Sequence, residues 1–396
     1  MANIIDYLKW RGDMSFSCDC FNEVDNLILS QLAYLNLDGV ATRGQMCSGM
    51  TLSDLASQII ASEEPPSVYA SYYYPEKVAE LLMCAAKTTR YRDVELLGYV
   101  SSHDRQPASQ FSAVTFSLTG DEHYIAFRGT GNSVAGWEEN LRMSFEEEVP
   151  AHRQAVIYVN DTAADLKGRL HLGGHSKGGN IAVYAATHSD SKIRARIMNV
   201  YNNDGPGFHM NVIQSTGYQD MASRMHTLVP KAALVGMLLE CGESPVIVDS
   251  KGLGIWQHDA FMWEVVGTRF VRAGKLSMHS RNLDSILEGW LDSLSMDERK
   301  QFVDALFGMM RATGADAFDD MLMDGPATIS TMKGYYLGID RETRRRLTDI
   351  VMKLWRESRR VYGKSIINEV NSLRRVASRN RLSARTEHAR VAKKRT

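Results

Sequence analysis

The apolar positions divide the chain into three stretches of different period. Over the first ninety residues they recur at helical spacing: Val24, Leu27, Ile28 and Leu32 share one face of a segment beginning near Phe21. Thr51 with Asp54 opens a second helix in near capping-box fashion, and Pro75 opens a third. These segments read as packing helices over one face of a sheet. From about residue 95 the runs shorten. Leu96 to Val100 and Phe111 to Leu118 are β-rich, Thr119-Gly120-Asp121 supplies a turn, and His123 to Phe127 runs into Arg128-Gly129-Thr130-Gly131. Helices are predicted near Trp137 to Met143 and over 151–166, then a strand from Arg169 to Leu172 and a helix from Gly178 to Thr187. Strands follow at Ile197 to Asn202, Met225 to Val229 and Pro245 to Val248. Strands alternating with helices predict a largely parallel α/β sheet.

After about residue 275 the strand pattern stops. Leu283, Ile286, Leu287, Trp290, Leu291 and Leu294 form a helical stripe, and Ser295-Met296-Asp297-Glu298 is a capping box leading into Phe302, Leu306 and Met309. Further stripes run through Leu347, Ile350, Val351 and Leu354, and through Ile366, Val370 and Leu373. The expected organisation is an α/β domain over 1–275 and an all-helical region over 276–396, either a separate domain or a cap leaning on the sheet.

Composition changes this picture little. The 396 residues suffice for one large domain plus a second unit. Five scattered cysteines, an odd number, and a Cys18-Asp19-Cys20 without the second pair a zinc site needs predict free thiols in a reduced, cytoplasmic protein. The start lacks the basic and apolar regions of a secretory signal, and the longest apolar run, Ala232 to Leu239, is too short to span a bilayer. No metal or cofactor motif is present: no phosphate loop ending in Lys-Ser/Thr, no His-Glu-x-x-His, no Gly-x-Gly-x-x-Gly after a strand. The net charge of −1 hides an asymmetry, because residues 371–396 carry +8 and the remainder −9. A basic tail suits weak contact with an anionic surface, with Ile366, Val370 and Leu373 as an apolar face; the plain alternative is a solvated, frayed terminus. No nucleic-acid partner is expected.

The candidate chemistry centres on Leu172-Gly173-Gly174-His175-Ser176-Lys177-Gly178-Gly179-Asn180, which contains Gly-x-Ser-x-Gly between a predicted strand and a predicted helix. In that setting Ser176 occupies a sharp turn that pushes its hydroxyl outward, the arrangement of an α/β-hydrolase nucleophile. Such a serine needs a base, an acid to orient the base, and amide donors for the oxyanion. With the chain order Ser, acid, His, the base is His258, after the last strand. His188, His209, His226, His279 and His388 fall on the wrong elements, and the His175 side chain diverges from the turn. Asp204, in the loop after the next strand, is the first candidate acid, Asp249 the second and Asp259 the third. One oxyanion donor is the backbone N–H of Lys177, whose amine is expected to project to solvent; the other comes from the 128–131 loop. Ala232 to Leu239 is either acyl-pocket lining or plain core.

Ile125-Ala126-Phe127-Arg128-Gly129-Thr130, Trp137 and Gly174-His175-Ser176-Lys177-Gly178-Gly179-Asn180 together resemble the class 3 lipases of fungi and plants. Residues 1–13, 21–30, Asp204-Gly205-Pro206-Gly207-Phe208 and Gln257-His258-Asp259 are more similar to an uncharacterised bacterial family of lipase-like α/β-hydrolases, a likeness covering roughly residues 1–270. The resemblance implies Ser176 as nucleophile, Thr130 and Lys177 as oxyanion donors and His258 as base, acting on small-molecule or lipid esters. It departs at the acid: class 3 lipases carry an aspartate before a Val-Pro, whereas here Met225-His226-Thr227-Leu228-Val229-Pro230 has no carboxylate. Two readings follow. One is a serine hydrolase of carboxylic esters acting through an acyl-enzyme; the alternative is a catalytically weak or silent scaffold with a binding or regulatory role.

Overall fold

Among the described residues, eight strands form the central sheet in sequential order: β1 (Met50–Thr51), β2 (Glu95–Arg105), β3 (Ala108–Thr119), β4 (Glu122–Phe127), β5 (Arg169–His175), β6 (Ile197–Asn203), β7 (Met225–Pro230) and β8 (Val246–Val248). The computed structural model describes residues 2–363 except 39–48, 63, 66–67, 69–73, 106–107, 132, 234, 238, 253 and 316–324. The basic tail, its apolar stripe and Cys47 lie outside the described residues. From β4 to β8 all neighbours pair in parallel, whereas β1 to β4 pair antiparallel. The α/β class expected from the sequence is thus present, with an antiparallel N-terminal part. For β2 to β4 the reason is local: their connections are two residues long, too short for a crossover, and force hairpins, whereas β1 joins β2 across α3 and α4.

Sequential strand order has a consequence for the layers. Right-handed crossovers that step in one direction deliver their helices to the same face. That face carries α6 (Pro150–Asp165), α7 (Lys177–His188) and the short α8 (Ser191–Arg194), α9 (Met210–Ile213) and α10 (Thr216–Met221). The opposite face must be covered by something else. It is covered by α1 (Ile4–Arg11), α2 (Glu23–Leu32), α3 (Leu52–Ala61) and α4 (Pro75–Ala85). A small hairpin of β9 (Val265–Val266) and β10 (Arg269–Phe270) packs beside α2. The helix α5 (Val134–Arg142) follows the β4 loop, and α11 (Met278–Asp292) and α12 (Met296–Ala312) pack over the C-terminal ends of the strands. Helices Gly325–Gly338 and 341–363 complete the described chain.

Capping boxes start α1, α2, α3 and α12, at Thr51 and Ser295 as the sequence suggests. Asn3, Asn22, Thr51 and Ser295 each accept from the first-turn amides while an aspartate or glutamate three residues on returns the bond. Helix α2 is buried on all sides, so its polar residues need partners in the interior. Asp25 takes hydrogen bonds from Arg90 (2.5 and 2.8 Å), Tyr7 (3.1 Å) and Tyr91 (2.5 Å). Asn26 bonds to Asn203 at 2.9 Å, and Ser30 to Tyr124 at 2.7 Å, which pins α2 to β4 and β6.

Arg90→Met leaves the buried Asp25 carboxylate without its cation and is expected to cost about 3–5 kcal/mol. Lys9→Met, at the exposed, solvent-screened Lys9–Asp6 pair, leaves the midpoint close to that of the wild type. Urea unfolding midpoints of the two variants check the contrast.

Candidate active site

Strand β5 delivers Ser176 at the C-terminal edge of the sheet, and α7 begins one residue later. The serine sits at φ 59°, ψ −134°, a conformation that an L-residue adopts only at a cost of a few kcal/mol. The turn is this tight because its glycines allow it: a Cβ on Gly178 would lie 2.1 Å from the Phe127 carbonyl oxygen, and one on Gly174 2.3 Å from the Gly178 carbonyl carbon. On the other side Gly129 approaches so closely that a Cβ there would lie 3.2 Å from the Ser176 Cβ. The 128–131 loop therefore runs directly alongside the serine.

Asp204 and His258 meet at the same edge. The His258 Nδ1–H donates to Asp204 Oδ2 at 2.6 Å, and the Gly236 amide donates to the other carboxylate oxygen at 3.1 Å. Asp204 is fully buried and itself has a positive φ of 53°. Burial pushes its carboxyl above the ordinary range, opposed by the His258 and Gly236 bonds. The 257–259 segment is fixed at both ends. Gln257 binds the Ala232 amide and the Gly252 carbonyl, each at 2.8 Å, and Asp259 pairs with Lys77 at 2.6 Å. The other two candidate acids are thus engaged elsewhere: Asp259 with Lys77, and Asp249 with Lys231 at 2.5 Å.

The residues flanking the serine go to opposite faces. His175 turns toward α2, where its Nε2–H donates to the His258 carbonyl at 2.8 Å and its ring lies 4.6 Å from the His258 ring. Burial and the neighbouring His258 hold His175 well below its ordinary pKa, so it is neutral, and its Nδ1 accepts from the Tyr34 hydroxyl at 3.3 Å. Lys177 turns the other way. Its amine does not reach solvent as the sequence suggested, because the turn tucks the first residue of α7 under α5. There it is fully buried, 2.7 Å from Glu139 and 2.8 Å from the Gln110 carbonyl. Burial lowers the Lys177 pKa and Glu139 opposes that shift. Gln110 in turn accepts from the Gly131 amide at 3.1 Å, tying the loop that carries Thr130 to the same cluster. The Thr130 hydroxyl is buried and has no hydrogen-bond partner among the described residues.

Glu139, Gln110 and Tyr34 are not legible as site residues in the sequence. One signal exists: a lysine in the first turn of a helix opposes the helix dipole and calls for a compensating acid. His152 is another unheralded member. Its Nε2–H donates to Asn180 at 2.7 Å, while its Nδ1 accepts from the Val149 amide at 3.3 Å. Asn180 then donates to the Pro206 and Gly207 carbonyls at 3.2 and 2.9 Å, steadying the loop that holds Asp204.

A cavity of about 290 Å³ opens onto Ser176 and Lys177. Its remaining wall is mainly apolar, from α5 (Trp137, Leu141), the Val235 and Leu239 segment, and α11 with α12. Helices α11 and α12 therefore cover one side of this cavity. Arg299 donates to the Ser144 carbonyl at 2.6 Å, Arg142 bonds to Asp304 at 2.9 Å, and Arg311 pairs with the buried Glu138.

A family model described as Mbeg1-like matches residues 85–308, more than half of the chain, Ser176, Asp204 and His258 included. The chain belongs to the Mbeg1-like family. The match takes in β2 to β8, the serine turn, Asp204, His258, α11 and α12 as far as residue 308, so these elements are the shared part of an Mbeg1-like protein. No curated protein matches the chain. A solved structure described as "Crystal structure of M37 lipase" aligns at 13% identity with a TM-score of 0.34, covering 54% of this chain and 69% of that one. Among the described residues of this Mbeg1-like protein, no helix is long and apolar enough to cross a membrane.

His152 makes the stability of the site depend on pH. Burial lowers its pKa from 6.5 to about 4 in the folded protein. The unfolded chain therefore binds the proton first, and stability falls as pH drops from about 6.5 to about 4. His152→Gln keeps a donor for Asn180 and cannot titrate. It is expected to remove up to about 1.4 kcal/mol per pH unit of that slope, read from urea midpoints across the window.

Proposed function

We propose that this Mbeg1-like protein is a serine hydrolase that cleaves carboxylic esters, lipid esters among them, through an acyl-enzyme on Ser176. The observation that carries the proposal is the 2.6 Å bond from His258 Nδ1 to Asp204 beside a serine held at φ 59°. With Nδ1 committed to Asp204, the Nε2 of His258 is the nitrogen that accepts the serine proton as Oγ attacks the ester carbonyl. The tetrahedral intermediate places its negative oxygen on the Lys177 amide and on Thr130, through its amide and its unpaired hydroxyl. As the first residue of α7, Lys177 has no intrahelical acceptor for that amide. Collapse breaks the C–O bond, and His258 returns the proton to the leaving alkoxide. Water then attacks the acyl-enzyme by the same route, releasing the acid and restoring Ser176.

His175 acts as a positioning residue in this scheme. A neutral ring bonded to the His258 backbone and lying against its ring fixes the base without adding a second positive charge. The apolar cavity adjoining Ser176 suits the acyl part of the ester.

A fluorophosphonate probe is expected to label the wild-type protein and to lose its target in Ser176→Ala. Labelling drops sharply in His258→Ala, and Asp204→Asn lowers kcat by up to about 10⁴ at little change in KM. Wild-type protein that reacts with no serine-directed probe and turns over no ester would refute the assignment.

A further inference from the structure

Helices α11 and α12 do more than cover one side of the cavity. Of the cavity wall, Leu287, Trp290 and Leu291 come from α11 and Phe302 and Val303 from α12, elements outside the sheet that carries Ser176, Asp204 and His258. Trp290 is held on two sides. Its indole packs edge-on against Phe302 at 5.4 Å, and its Nε1–H donates to the Ile350 carbonyl at 3.0 Å. Ile350 is fully buried on the helix over 341–363. A second tie joins that helix to the α11–α12 corner, through Lys353 to Glu298 at 2.7 Å and to the Ser293 carbonyl at 3.0 Å. The family match ends at residue 308, so this anchoring helix lies beyond it.

We infer that the substrate presents a single medium-length acyl chain to this cavity, and that the C-terminal helices gauge its length, with Trp290 as the specificity-determining residue. The inference rests on the ester-hydrolase reading of Ser176. The occupant follows from placement: whatever fills the cavity adjoins Ser176, and the mainly apolar wall suits a hydrocarbon chain. Size limits the length. The cavity of about 290 Å³ is closed on one side by Leu287, Trp290, Phe302 and Val303, so a chain that outgrows it meets this wall. Below that limit each buried methylene is worth about fourfold in kcat/KM; above it, the chain must displace Trp290 and its partners.

The test uses p-nitrophenyl esters from acetate to palmitate with the full-length protein. Wild type is expected to rise about fourfold per methylene to an optimum between butyrate and palmitate and then to fall. Trp290→Ala, which opens the wall, moves the optimum to longer chains and raises the laurate-to-butyrate ratio of kcat/KM at least tenfold. Leu287→Trp, which fills the cavity, moves it the other way, and serves if the alanine variant does not fold. A laurate-to-butyrate ratio unchanged within about twofold in the folded variants, with ester turnover intact, overturns the gauge and leaves the hydrolase standing. Absence of turnover and of probe labelling in wild type overturns both.

Discussion

The backbone at Ser176 cannot relax, and the site is built around that constraint. Gly174, Gly178 and the Phe127 carbonyl leave no room for a wider turn, so the serine is held at φ 59°. Strain of this kind persists only where the surroundings over-determine it. Here the two neighbours do so in opposite directions. His175 locks onto the His258 backbone and Tyr34 on the α2 face, and Lys177 locks onto Glu139 and Gln110 on the α5 face. One residue thereby steadies the loop of His258, the other the loop of Thr130. A single turn thus fixes the relative placement of elements more than a hundred residues apart in sequence.

The layers around the turn follow from strand order. Because the parallel strands run in sequence, their crossover helices occupy one face, and the N-terminal helices are needed on the other. This places α2, with its buried Asp25, Asn26 and Ser30, under the serine turn rather than at the periphery. Helices α11 and α12 cover one side of the cavity, and their tie to α5 runs through Arg142, Arg299 and Arg311. Gly236 links the parts again, since its amide holds Asp204 while its neighbour Val235 lines the cavity.

Much of this is legible in the sequence because its signals are local. A strand, Gly-x-Ser-x-Gly and a helix occupy consecutive residues, and the capping boxes at Thr51 and Ser295 are complete within four. The approach of Asp204 to His258 is partly legible, through chain order and the ends of predicted strands. The antiparallel start of the sheet is legible only in part, at the 119–121 turn, which leaves no room for a crossover between β3 and β4. The burial of Lys177 is not legible. Its partner Glu139 lies 38 residues upstream on another element, and nothing in the spacing announces a buried pair. His152 and Asn180 are hidden for the same reason: their bond joins two helices whose contact exists only once the sheet has formed.

The central claim is that Ser176 becomes covalently acylated, and the direct measurement is rapid mixing with p-nitrophenyl octanoate followed by acid quench and peptide mass spectrometry. The account predicts a burst of close to one equivalent of p-nitrophenol and an octanoyl adduct on the peptide containing Ser176. Turnover without burst or adduct, or turnover that persists in Ser176→Ala, would contradict it.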